Sequence, residues 1–143
     1  MIDRIFIDTW GWLAILNKRE PRHAEVGTYY RAFRAHGGQA YTTDYVLDET
    51  ITLLFKRLPV TIAKESLMYL ETAVMEGYLV REWISPDRFE NAVSLRLKLQ
   101  DKPEISFTDL TSMTVMRDLK IDTILTDDDH FLKVGMGLKK ATR

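Results

Sequence analysis

Ile5-Phe6-Ile7 is apolar at every position, close behind a chain start that carries two charges. A strand with one face in water alternates apolar and polar residues, so an unbroken run belongs to a strand buried on both faces of a parallel sheet. A parallel strand must be followed by a crossover, normally a helix. The chain repeats that grammar. Gly11 to Asn17 reads as a short helix and Arg22 to His36 as a second, ended by Gly37-Gly38. Gln39 to Thr42 reads as a strand. Asp44 to Leu58 reads as a helix with Val46, Leu47, Ile51, Leu54 and Leu58 on one side, stopped by Pro59.

The next helix, with Thr61 as its expected N-cap, carries Ile62, Leu67, Leu70 and Val74 and ends at Gly77. Tyr78 to Ile84 reads as a strand. Ser85 is placed to cap a helix that has Pro86 in its first turn and runs to about Gln100. After a loop around Pro103 come a helix from Thr108 to Leu119 and a buried strand from Ile121 to Leu125. A helical turn over Asp129 to Val134 and an edge strand over Met136 to Lys139 complete the pattern. The sum is an α/β domain with a mainly parallel sheet flanked by helices. With no repeat, low-complexity tract or linker, residues 1–143 read as one domain.

At 143 residues the chain can bury a core without disulfides, and it has no cysteine. Thiol catalysis and zinc–thiolate sites are therefore excluded. The absence of a long apolar span or an amino-terminal signal pattern makes a cytoplasmic, membrane-free protein the expectation. A formal net charge of −1 argues against broad electrostatic binding of nucleic acid. Local basic clusters remain: Lys18, Arg19, Arg22 and His23; Lys56 and Arg57; Lys139 and Lys140. Each is either a solvated helix end or a phosphate contact.

Four acids lie where elements begin or end: Asp8, Glu49, Asp109 and Asp128. Asp8 follows the first strand and doubles as a helix cap. Glu49 borders an apolar helix stripe, about 100° around the axis from its competitor Asp48. Asp109 sits in the first turn of a helix that Ser106 can cap. Asp127-Asp128-Asp129 follows the last buried strand, and spacing alone does not say which of the three points inward. His130 beside them is either a proton carrier or structural. Ligands form at the carboxyl edge of a parallel sheet, and acids gathered there repel one another unless a cation joins them. All-oxygen ligation selects Mg²⁺ or Mn²⁺, an ion suited to phosphodiester hydrolysis.

The segments Ile5-Phe6-Ile7-Asp8-Thr9, Thr42 to Thr50, Ser106-Phe107-Thr108-Asp109 and Leu125 to Phe131 together resemble the PIN-domain ribonucleases, in particular toxins of the VapC type. The resemblance implies a three-layer α/β sandwich around a parallel sheet. It implies Asp8, Glu49, Asp109 and Asp128 as the acidic quartet, Asp128 being chosen because it stands three residues before Phe131, with Asp127 as the alternate. Asp8 and Asp109 are expected to hold the metal, with Glu49 and Asp128 acting through water. It further implies Mg²⁺- or Mn²⁺-dependent cleavage of RNA (tRNA or rRNA), a cognate antitoxin and a homodimer. An antitoxin groove would draw on Tyr29, Tyr30, Phe33, Leu54 and Phe55. The rival readings are a catalytically silent PIN module that binds RNA or a protein, and a doubly wound phosphatase or phosphoacceptor. The last two want acids that Thr9 and Trp10 do not supply.

Overall fold

A computed structural model describes residues 2–143. Its centre is a five-stranded sheet, β1 (Arg4–Ile7), β2 (Gln39–Thr43), β3 (Leu79–Glu82), β4 (Thr123–Leu125) and β5 (Lys139–Lys140), in the order β3-β2-β1-β4-β5. Every neighbouring pair is parallel. The apolar run explains the centre: Ile5, Phe6 and Ile7 are buried, and β1 is covered by β2 on one side and β4 on the other.

Six helices connect the strands: α1 (Thr9–Leu16), α2 (His23–Ala35), α3 (Asp44–Arg57), α4 (Val60–Met75), α5 (Pro86–Lys98) and α6 (Phe107–Leu119). A 3₁₀ turn spans Asp129–Lys133. Right-handed crossovers put α1 to α4 on one face and α5 with α6 on the other, which makes three layers. The contacts agree, since α1 packs on α2 and α3, α3 on α4, and α5 on α6. In α2 the residues Val26, Tyr30 and Phe33 recur at helical spacing and are buried. Among the described residues no helix is long and apolar enough to cross a membrane.

Several boundaries differ from the sequence expectation, each for a local reason. Thr43 caps α3, accepting the Val46 N–H at 3.0 Å, which leaves Asp44 in the first turn to accept the Ile84 N–H at 2.9 Å. Helix α4 starts at Val60 behind Pro59, with no side-chain cap, so Thr61 lies inside the helix. The expected strand Met136 to Lys139 is instead Lys139–Lys140, because Gly135 and Gly137 both sit at φ 71° and turn the chain before it can extend. Strands β3 and β4 are shorter than expected, and Tyr30, Phe33 and Leu54 belong to the core, so they cannot line a docking groove. Phe55 is exposed.

Strand order decides where chemistry can occur. The chain steps outward from β1 through β2 to β3, then returns past β1 to add β4. The two directions part between β1 and β4, and a crevice opens beyond their carboxyl ends. Asp8 leaves the end of β1, and Thr126 to Asp128 leave the end of β4.

Candidate active site

Asp8 is the N-cap of α1; its carboxylate accepts the Gly11 N–H at 2.9 Å. This first turn of α1 lies hard against the end of β4. A Cβ on Gly11 would stand 2.6 Å from the Leu125 carbonyl oxygen and 2.8 Å from Ile7 Cγ2, so only glycine allows the approach. Across the same seam the buried Thr126 hydroxyl accepts the Asp128 N–H at 3.0 Å, and its polarity favours the ionised Asp8 carboxyl. One hydroxyl thus bears on both the acid of β1 and the acid after β4. Asp128 in turn caps the 3₁₀ turn, accepting the His130 N–H at 2.9 Å, and lies 3.3 Å from the imidazole Nε2.

Asp109 is held at the start of α6, where Ser106 caps the helix by accepting the Asp109 N–H at 3.0 Å. Glu49 is exposed on the second turn of α3. Asp8, Glu49, Asp109 and Asp128 line one open depression of about 320 Å³, with Trp10 and Leu13 as its apolar wall. Asp48 is not among its lining residues. Nor is Asp127, whose carboxylate is bound to Arg22 at 2.8 Å. A larger recess of about 520 Å³ lies near Met116 and Met136, but the perturbed carboxyls are at the smaller one.

Burial, with smaller contributions from Asp109 and Asp128, pushes the Asp8 carboxyl up to about 7 despite the Thr126 and Gly11 hydrogen bonds. Burial and then the charges of Asp128 and Glu49 push Asp109 up to about 6. Two carboxyls raised chiefly by burial and further by neighbouring acids hold protons that a divalent cation would displace, and paired perturbations of this kind mark functional sites. The donors are all oxygen, which suits a hard divalent cation. Among the described residues no three acidic or imidazole groups close into a ready-made metal cage. Magnesium does not require one, since it keeps several waters and takes one or two carboxylates directly.

Two further charged residues line the depression: Glu20, from the turn after α1, and Arg57, at the end of α3. Glu20 carries no sequence signal. Arg57 lies eight residues beyond Glu49 with Leu53 between them, a helical stripe visible in the sequence once Glu49 is placed. Thr126 had the signal of a hydroxyl between a buried strand and three acids, but its partner Asp8 is over a hundred residues away.

A family model for the PIN domain matches residues 5–136. Comparison with curated proteins gives no match. Among solved structures, the chain is similar to Mycobacterium tuberculosis VapC20, described as a sarcin-ricin loop cleaving toxin. The two are 28% identical with a TM-score of 0.76, over 92% of this chain and 95% of that one.

Proposed function

The chain belongs to the PIN domain family, and from that premise we propose that it is a metal-dependent endoribonuclease of the VapC type, the toxin of a toxin–antitoxin pair. The observation that carries the reading is the arrival of Asp8, Glu49, Asp109 and Asp128, from four separate elements, at one depression beside the β1–β4 seam. The VapC20 likeness supports RNA as the substrate. A cognate antitoxin, a homodimer and a cytoplasmic location complete the proposal by family resemblance.

Asp8 and Asp109, the two carboxyls whose negative charge is least compensated, would hold Mg²⁺ or Mn²⁺, with Glu49 and Asp128 joining through water. When bound, the ion supplies Lewis-acid polarisation of the phosphoryl group and neutralises the leaving oxygen. Thr126 holds the Asp128 backbone and favours the charged form of Asp8, which lowers the reorganisation needed when substrate arrives. Glu49 and Asp128 are placed to orient the attacking water and accept its proton. Trp10 and Leu13 limit water on one side of the depression.

The test is cleavage of total RNA by the purified protein with Mg²⁺, with new 5′ ends mapped. Discrete ends from the parent, lost in Asp109→Asn, are expected. Cleavage at full rate by Asp109→Asn, or none by the parent with Mg²⁺ or Mn²⁺, would overturn the reading.

A further inference from the structure

An RNA strand entering this depression meets Asp8, Glu20, Glu49, Asp109 and Asp128 together. One divalent ion leaves part of that charge uncancelled, so a polyanion gains purchase only where a cation faces it. Among the described residues, the one cationic side chain lining the depression is Arg57. Glu49, Leu53 and Arg57 recur every four residues along α3, which puts them on one stripe of the helix. Eight residues of helix span about 12 Å. Arg57 therefore stands at the far end of this stripe from Glu49, about two turns along the helix, where it can meet a different phosphate of the same strand.

Its present partner is weak. The guanidinium lies 3.8 Å from the Glu20 carboxylate, beyond hydrogen-bond distance, and the side chain is 50% exposed. Arg22 makes the contrast: its nitrogens are committed to Glu25, Asp127 and Thr142 by hydrogen bonds of 2.7 to 3.2 Å. A cation at a helix carboxyl end also complements the helix dipole. Lys56 serves that purpose equally and does not line the depression.

We propose that Arg57 is a substrate-positioning residue, binding a backbone phosphate of the RNA away from the scissile bond, and that Glu20 is the counter-ion the phosphate displaces. This rests on the ribonuclease reading above. The guanidinium fork suits a phosphate, to which it can present two parallel N–H donors.

A structural ion pair and a displaceable one predict different signs. If the pair only ties α3 to the turn after α1, losing either partner acts in the same direction. If Glu20 competes with RNA, losing Arg57 weakens binding and losing Glu20 strengthens it. The experiment measures fluorescence anisotropy of a short labelled oligouridylate on the Asp109→Asn protein with Mg²⁺, over about 50 to 200 mM KCl. Adding Arg57→Ala should raise Kd about three- to tenfold and flatten the log Kd against log salt slope by about 0.7. Arg57→Lys should recover part of the loss, and Glu20→Gln should lower Kd about two- to fivefold. Melting temperatures should stay near the parent's, as a long, partly exposed pair dictates. Equal Kd in all variants, shifts of one sign for Arg57→Ala and Glu20→Gln, or no binding by the Asp109→Asn parent would overturn the proposal. Failure of the ribonuclease reading is distinguished by the unmutated protein's own cleavage assay.

Discussion

The Arg22 guanidinium holds the Asp127 carboxylate at 2.8 Å and lies 5.2 Å above the Trp10 ring. The ion pair draws the first acid of the Asp127-Asp128-Asp129 run toward α2. Asp129 is likewise engaged outside the depression, bound to Lys140 at 3.0 Å. Asp128, between them, is the member of the run that lines it.

Neutralising the two neighbours should therefore separate them. Asp128→Asn is expected to lower Mg²⁺-dependent RNA cleavage by on the order of 10²-fold or more. Asp127→Asn removes an exposed ion pair and should leave the rate within about fivefold of the parent. Initial rates on one RNA substrate under identical metal and salt read both.

Asp8 makes the metal-free protein sensitive to pH in the direction opposite to an ordinary salt-bridged carboxylate. Its carboxyl is raised from 3.8 to about 7 on folding, so the folded state binds the proton more tightly than the unfolded state. The stability this contributes is complete below the unfolded value and is lost as pH climbs through about 7. The full difference is on the order of 4 kcal/mol. Asp109, raised to about 6, adds in the same sense. Chemical denaturation in EDTA should show stability falling from about pH 4 to pH 7. Asp8→Asn, which can still accept the Gly11 N–H, should flatten that fall and be the more stable protein at neutral pH. A parent protein that gains stability across this window would contradict the burial of Asp8.

Metal binding should expel protons over the same range. At about pH 6.5, metal-free Asp8 is largely protonated and Asp109 partly so, while a metal ligand must be ionised. Titration calorimetry with Mg²⁺ or Mn²⁺ in buffers of different ionisation enthalpy should show net proton release near pH 6.5 and little above pH 8. Release that does not vary with pH would argue against these two carboxyls as the ligands.

Gly11→Ala tests the seam between α1 and β4. The added methyl would meet a backbone carbonyl oxygen at 2.6 Å, which no flexible side chain can move aside to relieve. A loss of about 1–3 kcal/mol is expected from forced overpacking. RNA cleavage should fall by more than that stability loss explains, because the displaced turn carries Asp8. Denaturant melts and rates on the residual folded protein separate the two effects.

The parts of this molecule that were legible in the sequence are those whose cause is local. Ile5-Phe6-Ile7 announces a central strand, Ser85-Pro86 and Ser106 announce helix starts, and Val46 and Leu47 mark one helix face. The four acids could be singled out because each neighbours such an element. Their gathering depends on strand order, a long-range relation that spacing does not encode. The same limit hid the double role of Thr126 and the presence of Glu20. It also left Asp127 and Asp128 open, since the difference between them is set by Arg22, more than a hundred residues away. At Met136 to Lys139, where local reasoning misplaced a strand, glycines at positive φ were the cause. Of the groove candidates, Tyr30, Phe33 and Leu54 proved to be core for another reason. Aromatic and aliphatic side chains on a helix look the same in sequence whether they face a partner or the core.

The pairing of Phe6 with Ile124 and of Ile7 with Leu125 joins two strands more than a hundred residues apart in the chain. A ribosome that has not yet translated Thr123 has already delivered Asp8, Glu49 and Asp109, yet the wall carrying Thr126 and Asp128 does not exist. Assembly of the depression thus waits on β4, and a fragment truncated upstream of that strand lacks the wall that carries Thr126 and Asp128.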